Sequence, residues 1–165
     1  MNEQQSGLVL KLKRVVDAPP ERIFDLLTEP AEVATWWGPH GFTTPEIELD
    51  LSVGGGYRYT MQPPDAEAFH LSGEFLEIDP PSRLVFTFRW EEPDPDDRET
   101  VVMLSLAAVG DATEVSLSQG EFATDERLAL HRSGWADSFE KLGEVIETSR
   151  SQRPEDPLTP VDGGG

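Results

Sequence analysis

The sequence contains no cysteine, which excludes disulfide bonds, thiolate metal sites and cysteine nucleophiles. It also lacks an apolar run of the roughly 20 residues that a membrane-spanning helix needs. Its first residues, MNEQQSG, do not follow the basic and then apolar pattern of a signal peptide. These absences predict a cytoplasmic protein that does not insert into a membrane.

Positive charge is scarce, with 13 lysines and arginines against 32 acidic residues and a formal net charge of -19. Such a surface repels nucleic-acid phosphates and anionic membranes, so neither is expected as a partner. At 165 residues the chain is long enough to bury one substantial core. We expect one domain over residues 1–148. The tail over residues 149–165 is predicted to be disordered because it has too few apolar residues to pack.

The beginning of the chain is typical of one strand followed by two short helices. Apolar and charged residues alternate between Leu8 and Pro19, which predicts a strand. The proline pair at 19–20 suits the start of a helix with an apolar stripe. Pro30 ends this helix and opens a second short one, which stops before the break at Gly38-Pro39.

Residues 41–120 show the alternation of a strand-rich segment. The clearest strand has one face made by Leu84, Phe86, Phe88 and Trp90. Turn signals separate the strands at residues 54–56 (GGG), 80–82 (PPS) and 110–111 (GD). The acidic run EEPDPDD is predicted to be a solvated loop. About six consecutive strands joined by short turns predict an antiparallel sheet.

From Thr124 the apolar period becomes that of a helix of about 25 residues, with Thr124 as its cap. Its apolar face carries Leu128, His131, Trp135, Phe139, Leu142 and Ile146. An antiparallel sheet has to bury one face, and this helix can cover it. We therefore predict an α+β fold: a curved antiparallel sheet wrapped around a long C-terminal helix. A cavity is expected where the short helices meet the long one.

Four segments, in this order, resemble a known family: PPERIFDLLTEPAEVATWWGPHGF, VGGGYRY, GEFLEIDPPSRLVFTFRW and GWADSFEKL. They resemble the activator of heat-shock-protein-90 ATPase homologue (AHSA-type) family, part of the START-like superfamily with the helix-grip fold. The resemblance covers about residues 8–147 and implies a deep cavity between sheet and long helix. Cavities of this superfamily bind lipids, polyketides, hormones or other small apolar molecules, and a few carry cyclase or hydrolase chemistry.

The family name also raises the question of a chaperone partner. In the eukaryotic activators, a domain of this type assists the chaperone together with a separate preceding domain. This chain has no room for that domain, so a chaperone partner is not expected. Whether the protein forms a homodimer stays open.

Aromatic residues supply most of the candidate ligand site. The segment WWGPHGF, residues 36–42, joins two tryptophans to a Gly-Pro turn and is interpreted as the gate of the cavity. Adjacent helical residues point about 100° apart, so one tryptophan should pack under the sheet and the other should line the mouth. Gly134 suggests space beside the long helix. The predicted cavity residues are Trp36, Trp37, Phe42, Tyr59, Phe75, Phe86, Phe88, Trp90, His131, Trp135, Ser138 and Phe139.

Polar chemistry has few signals in the sequence. His40, His70 and His131 show no ligand spacing, so no metal ion or other cofactor is predicted. The GGG segment is followed by a strand and not by Gly-Lys-Ser and a helix, which excludes a phosphate-binding loop. No nucleophile stands beside a base, and no catalytic residue is predicted.

Three functions remain, in order of preference. The first is non-catalytic binding of a small hydrophobic ligand in the cavity. The second is a cyclase, dehydratase or hydrolase, which requires two ionisable groups converging in the cavity, such as His131 with Glu48 or Tyr59. The third is a co-chaperone-like interaction module that uses its acidic surface or a dimer interface.

Overall fold

A computed structural model describes residues 7–151, and the elements within them follow in the predicted order. One strand precedes two short helices, six further strands and a long helix. The elements are β1 (Leu10–Val16), α1 (Pro20–Thr28), α2 (Pro30–Val33), β2 (Thr43–Leu49), β3 (Gly56–Gln62), β4 (Phe69–Asp79), β5 (Arg83–Trp90), β6 (Thr100–Val109), β7 (Ala112–Gly120) and α3 (Asp125–Ser151).

The strands form one seven-stranded antiparallel sheet in the order β1-β7-β6-β5-β4-β3-β2. Each strand from β2 to β6 pairs with the next strand in sequence. The last strand, β7, also pairs with the first strand, β1. Register shifts interrupt the pairing of β2 with β3 between Thr43 and Glu46, and that of β4 with β5 between Phe75 and Glu77. Irregularities of this kind bend a strand and increase its twist. The sheet therefore curves, as predicted, and one face is free to enclose a helix.

The long helix α3 packs against the buried face of this sheet. The Thr124 hydroxyl accepts a hydrogen bond from the Arg127 N–H at 3.1 Å, which confirms the predicted cap. The buried stripe of the helix consists of Trp135, Phe139, Leu142 and Ile146. Burial of each such side chain contributes about 1.5–3 kcal/mol. Packing on the sheet is therefore the main force that holds α3 in place.

The described part of α3 reaches Ser151, three residues beyond the predicted domain end at residue 148. The rest of the predicted tail, residues 152–165, lies outside the described residues. Among the helices of residues 7–151, none is both long enough and apolar enough to cross a membrane.

The two short helices are tied together by a tryptophan. The carbonyl of Leu26 would normally accept a hydrogen bond from the N–H of residue 30, but Pro30 has no N–H. The indole N–H of Trp36 takes this place and donates to the Leu26 carbonyl at 2.7 Å. Trp36 is fully buried. The chain that follows α2 therefore starts from a fixed position in the core.

The GGG segment forms the turn between β2 and β3. Gly54 has a φ of +87°, a conformation that favours glycine, and its N–H donates to the Phe75 carbonyl at 2.8 Å. The strand β3 begins at Gly56. The predicted turn is confirmed, and no helix follows it.

Candidate ligand-binding site

An open cavity of about 420 Å³ lies between α3, the strands β3 to β5, and the loop after α2. Most of its wall is aromatic or aliphatic, and charged residues lie where it opens to solvent. The lining residues are Trp37, Gly38, Pro39, Phe42, Met61, Phe69, Phe88, Trp90, Glu92, Asp94, Asp97, Arg127, Leu130, His131, Gly134, Trp135 and Ser138.

One side of the cavity is a continuous series of aromatic rings. Trp90 meets Phe88 at 5.1 Å and Phe69 at 5.2 Å between ring centroids, and Phe69 meets Phe42 at 6.1 Å. All three contacts are edge-to-face, the arrangement that the ring quadrupoles favour. This side of the cavity is therefore a continuous apolar surface built from β4, β5 and the loop after α2.

Trp37 separates this cavity from a smaller void deeper in the core. Its ring makes edge-to-face contacts with Tyr59 at 4.9 Å and with Trp135 at 5.2 Å. The second void is only about 10 Å³, and Trp37 lines it together with Tyr59 and its neighbours on the sheet. The two adjacent tryptophans thus have different positions: Trp36 is in the solid core, whereas Trp37 is a wall of the cavity.

Residues 38–42, which we call the mouth loop, are fastened to α3 by polar contacts. The Ser138 hydroxyl accepts a hydrogen bond from the Gly38 N–H at 3.0 Å and donates to the Gly134 carbonyl at 2.9 Å. The Lys141 ammonium donates to the Pro39 carbonyl at 3.3 Å. Ser138 therefore borders the cavity, but its hydroxyl is already used to hold the mouth loop.

His40 adds an exposed contact between the mouth loop and α3. Its Nε2 lies 2.8 Å from Glu140 Oε1, and its backbone N–H donates to Asp137 Oδ2 at 3.2 Å. The hydrogen bond to Glu140 raises the pKa of His40, and the charges of Asp137, Glu140 and Glu144 act in the same direction. The protonated imidazole is the form that holds this contact most strongly.

Gly134 leaves open space on the helix wall of the cavity. A Cβ atom at this position would meet only Pro39 Cγ at 3.7 Å, an ordinary van der Waals distance. The backbone does not exclude a side chain here. The missing side chain instead enlarges the cavity opposite the mouth loop.

His131 is surrounded by rings and faces the cavity. Its imidazole centroid lies 4.8 Å from that of Phe122, 5.3 Å from Phe88 and 5.9 Å from Trp90. Burial lowers the pKa of His131 to about 4, with a further contribution from the positive charge of Arg127. The ring is therefore neutral near pH 7 and offers one donor and one acceptor nitrogen.

The acidic run that was predicted to be a solvated loop forms the rim of the cavity. Arg127 of α3 contacts Asp94 at 2.6 Å, Asp96 at 3.0 Å and Asp97 at 3.4 Å. The Glu92 carboxylate accepts from the His70 backbone N–H at 2.9 Å and lies 2.7 Å from His70 Nδ1. These contacts attach the loop to α3 and to β4, and they give the opening a net negative charge.

The structure brings many, but not all, of the predicted site residues to the cavity. On its wall lie Trp37, Phe42, Phe88, Trp90, His131, Trp135 and Ser138. Tyr59, Phe75 and Phe86 line the small inner void instead. Trp36 and Phe139 are packed in the solid core. The prediction did not separate inward-facing residues near the closed centre of the sheet from those near its open end.

Other lining residues were not predicted. Met61 and Phe69 are opposite each other across β3 and β4 and share the inward parity of Tyr59 and Leu71, so alternation could have found them. Leu130 and the charged rim could not be found this way. Their position at the cavity depends on the contact between α3 and the loop at residues 91–97. Arg127 and Asp94, which form part of this contact, are 33 residues apart in sequence.

The catalytic pair considered from the sequence is not formed. Glu48 is exposed, opposite Arg58 in the pairing of β2 with β3. Tyr59 lies behind Trp37, and burial raises the pKa of its hydroxyl. Neither group lines the cavity that His131 faces.

Within residues 7–151, two groups of side chains have ligand atoms close enough to hold a metal ion. They are His40 with Asp137 and Glu140, and His70 with Glu91 and Glu92. Both include exposed carboxylates, and each histidine already contacts a carboxylate directly. These contacts account for the grouping without a metal ion. Residue spacing could not reveal the first group, since about 100 residues separate its members.

The sequence profile described as "Activator of Hsp90 ATPase homolog 1-like protein" (AHSA1) matches residues 17–147. The chain belongs to this family. The seven-stranded curved sheet and long C-terminal helix of this AHSA1-family protein form the helix-grip fold that the resemblance implied. A comparison with curated proteins found no significant match.

Solved structures of bacterial proteins share this fold. An AHSA1 protein of Silicibacter pomeroyi is 29% identical over 86% of this chain and 99% of that chain, with a TM-score of 0.73. A protein of Chromobacterium violaceum is 26% identical over 84% and 96% of the two chains, with a TM-score of 0.74. A protein of Nitrosomonas europaea is 25% identical over 88% and 98%, also with a TM-score of 0.74.

Proposed function

We propose that this AHSA1-family protein binds a small, mainly apolar molecule in the cavity between the curved sheet and α3. The observation that carries the proposal is the aromatic cavity itself, with a volume of about 420 Å³. Sites for small organic molecules typically measure roughly 300–1,000 Å³ and are lined mostly by apolar side chains with a few polar groups. The START-like fold of the family is also one that commonly holds hydrophobic ligands.

The expected affinity follows from the apolar surface that a ligand can bury. Burying about 300 Å² of ligand surface contributes on the order of 7 kcal/mol. The loss of translational and rotational freedom offsets a large part of this. We therefore expect micromolar or weaker binding for a simple aromatic hydrocarbon, and tighter binding only for a ligand that also makes polar contacts.

The mouth loop is the proposed entrance. Gly38 and Gly41 have φ values of +100° and +88°, and glycine has no Cβ that would hinder a change of backbone conformation at these two positions. The hydrogen bond of Gly38 to Ser138 is buried, whereas the contacts of His40 with Glu140 and of the Pro39 carbonyl with Lys141 are exposed or partly exposed. Exposed contacts of this kind break at small cost compared with core packing. A short opening of this loop would admit a ligand without disturbing the sheet.

Native mass spectrometry of the freshly purified protein tests the proposal. We expect a mass above that of the chain, which disappears when the protein is denatured. If the spectrum shows only the chain, titration with 2-methylnaphthalene follows, observed by NMR at the indole signals of Trp37 and Trp135. Saturable shifts of these signals support the proposal. A clean spectrum together with unchanged indole signals would refute it.

A further inference from the structure

Most polar side chains on the cavity wall are already engaged within the protein. The Trp135 indole N–H donates to Gln119 Oε1 at 2.7 Å. The Ser138 hydroxyl both accepts from the mouth loop and donates to the carbonyl of Gly134. Neither group has a donor left for a ligand, because an indole has one N–H and a hydroxyl has one O–H.

The charged groups at the rim are engaged as well. Arg127 contacts three aspartates, so its positive charge is more than compensated. Glu92 is held by the backbone and the imidazole of His70. A ligand carboxylate would have to displace one of these aspartates and approach a rim of net negative charge. An anionic ligand is therefore disfavoured.

His131 differs from these residues because its ring nitrogens have no hydrogen-bond partner among the described residues. Its neighbours Phe88, Trp90 and Phe122 are apolar rings that can pack against the imidazole but cannot replace a hydrogen bond to it. A half-buried polar group in such surroundings gains from a partner that arrives with the ligand.

We propose that His131 determines ligand specificity in this cavity by hydrogen-bonding an uncharged hydroxyl or carbonyl group on an otherwise apolar ligand. This inference rests on the proposed function and adds the chemical class of the ligand. The class is a neutral aromatic or polycyclic alcohol, phenol or ketone. The apolar body packs against the ring series of Phe88, Trp90 and Phe69, and its polar group reaches the imidazole.

The electrostatics of the site support an uncharged partner. The imidazole is neutral at pH 7 because burial and the charge of Arg127 lower its pKa. A neutral imidazole donates through one nitrogen and accepts through the other, so it can serve either a hydroxyl or a carbonyl. A charged ligand group would lose far more hydration on entering the cavity than a hydroxyl does.

Matched ligands of equal shape test the inference. 2-Naphthol and 2-methylnaphthalene differ by a hydroxyl in place of a methyl group, and water retains the hydroxyl compound more strongly. In an apolar cavity with no free polar group, 2-methylnaphthalene would bind more tightly. We expect the wild-type protein to bind 2-naphthol at least as tightly, and 2-naphthoate more weakly than 2-naphthol. Replacing His131 with phenylalanine should shift the affinity ratio about tenfold toward 2-methylnaphthalene.

A control variant separates hydrogen bonding from packing. Phe42→Leu changes the same wall without changing a polar group. It should therefore weaken the binding of both ligands and leave the ratio of their affinities unchanged. If His131→Phe does not fold, the ¹⁵N signals of the wild-type imidazole give a second readout. They should move much further on addition of 2-naphthol, which forms the hydrogen bond, than on addition of 2-methylnaphthalene, which only places a ring nearby.

The possible results distinguish this inference from the proposed function. If both compounds bind but His131→Phe leaves their ratio unchanged, or the imidazole signals do not respond to 2-naphthol, the role of His131 is refuted and the binding cavity stands. Tighter binding of 2-naphthoate than of 2-naphthol would also overturn the inference. If neither 2-naphthol nor 2-methylnaphthalene binds the wild-type protein and its native mass spectrum shows only the chain, the proposed function itself fails.

Discussion

At the scale of single residues, Trp36 and Trp37 show how neighbours in sequence acquire different tasks. The Trp36 indole replaces the N–H that Pro30 lacks and satisfies the Leu26 carbonyl inside the core. Trp37 borders both the open cavity and the small inner void. The first residue is needed for the fold, whereas the second shapes the space that a ligand would occupy.

Substitution of each tryptophan by phenylalanine should separate these tasks. Trp36→Phe leaves the Leu26 carbonyl buried without its donor and should lower the free energy of unfolding by about 1–3 kcal/mol. It should leave the affinity for 2-methylnaphthalene within about twofold of wild type, since Trp36 does not line the cavity. Trp37→Phe joins space on its two sides and should change that affinity several-fold.

Denaturant unfolding and NMR titration of the two variants provide the measurements. Because both variants replace tryptophan with phenylalanine, a difference between them reflects the position of the residue and not the chemical change. Equal effects of the two substitutions on affinity would show that the position of Trp37 between the voids has no bearing on binding.

At the scale of elements, the mouth loop contacts α3 through one hydrogen bond that is independent of pH and one contact that depends on the protonation of a histidine. The hydrogen bond from Gly38 to Ser138 does not depend on pH, whereas the contact of His40 with Glu140 does. The hydrogen bond to Glu140 raises the pKa of His40 above its ordinary value of 6.5. The stabilisation is therefore complete below about pH 6.5 and is lost as the pH rises through the raised pKa.

Because the contact of His40 with Glu140 weakens as the pH rises, ligand exchange is predicted to be faster at alkaline pH. The dissociation rate of 2-methylnaphthalene, measured by NMR exchange spectroscopy between about pH 6 and about pH 9, should increase as His40 loses its proton. His40→Gln keeps a polar side chain but does not titrate, so its rate should change much less over this range; burial lowers the pKa of Lys141, which also contacts the mouth loop, and this residue is the same in both proteins. Asp137, Lys141 and Glu144 remain as charged neighbours in both proteins. A wild-type rate that is constant, or that changes in the same way in His40→Gln, would contradict the role of this contact.

At the scale of the whole molecule, the sequence was sufficient for the fold because the relevant signals are local. Alternation in β5 places Leu84, Phe86 and Phe88 on one face, and the helical period after Thr124 identifies the element that covers them. Turn residues such as Gly54 and Gly110 mark where the strands reverse. Each signal spans only a few residues and can be recognised without knowledge of the rest of the chain.

The candidate site was predicted less completely because it depends on distances across the fold. Alternation shows that Phe75 and Phe86 face inward, but it does not show that the sheet closes over them while it opens near Trp90. The contacts of Arg127 with the aspartates, and of His40 with Glu140, join segments about 30 and 100 residues apart. No local sequence pattern indicates a contact between segments so far apart, although the charged residues themselves can be read from the sequence.

The cavity beside Gly134 is the proposed binding site for an apolar molecule, so a side chain that fills this cavity should exclude the ligand. A leucine at position 134 would extend from a site where a Cβ atom meets only Pro39 at 3.7 Å. Replacing a glycine inside a helix also favours the helix by up to about 1 kcal/mol, so the variant should not be less stable. Ser133→Leu, at the adjacent exposed position of α3, is the matched control.

The measurement is the affinity for 2-methylnaphthalene by NMR titration, together with the melting temperature of each protein. We predict that Gly134→Leu lowers the affinity by on the order of tenfold or more, because the leucine occupies apolar surface that the ligand would bury. Its melting temperature should not fall, and Ser133→Leu should bind as the wild type does. Binding by Gly134→Leu with wild-type affinity would contradict the claim that this cavity is the binding site.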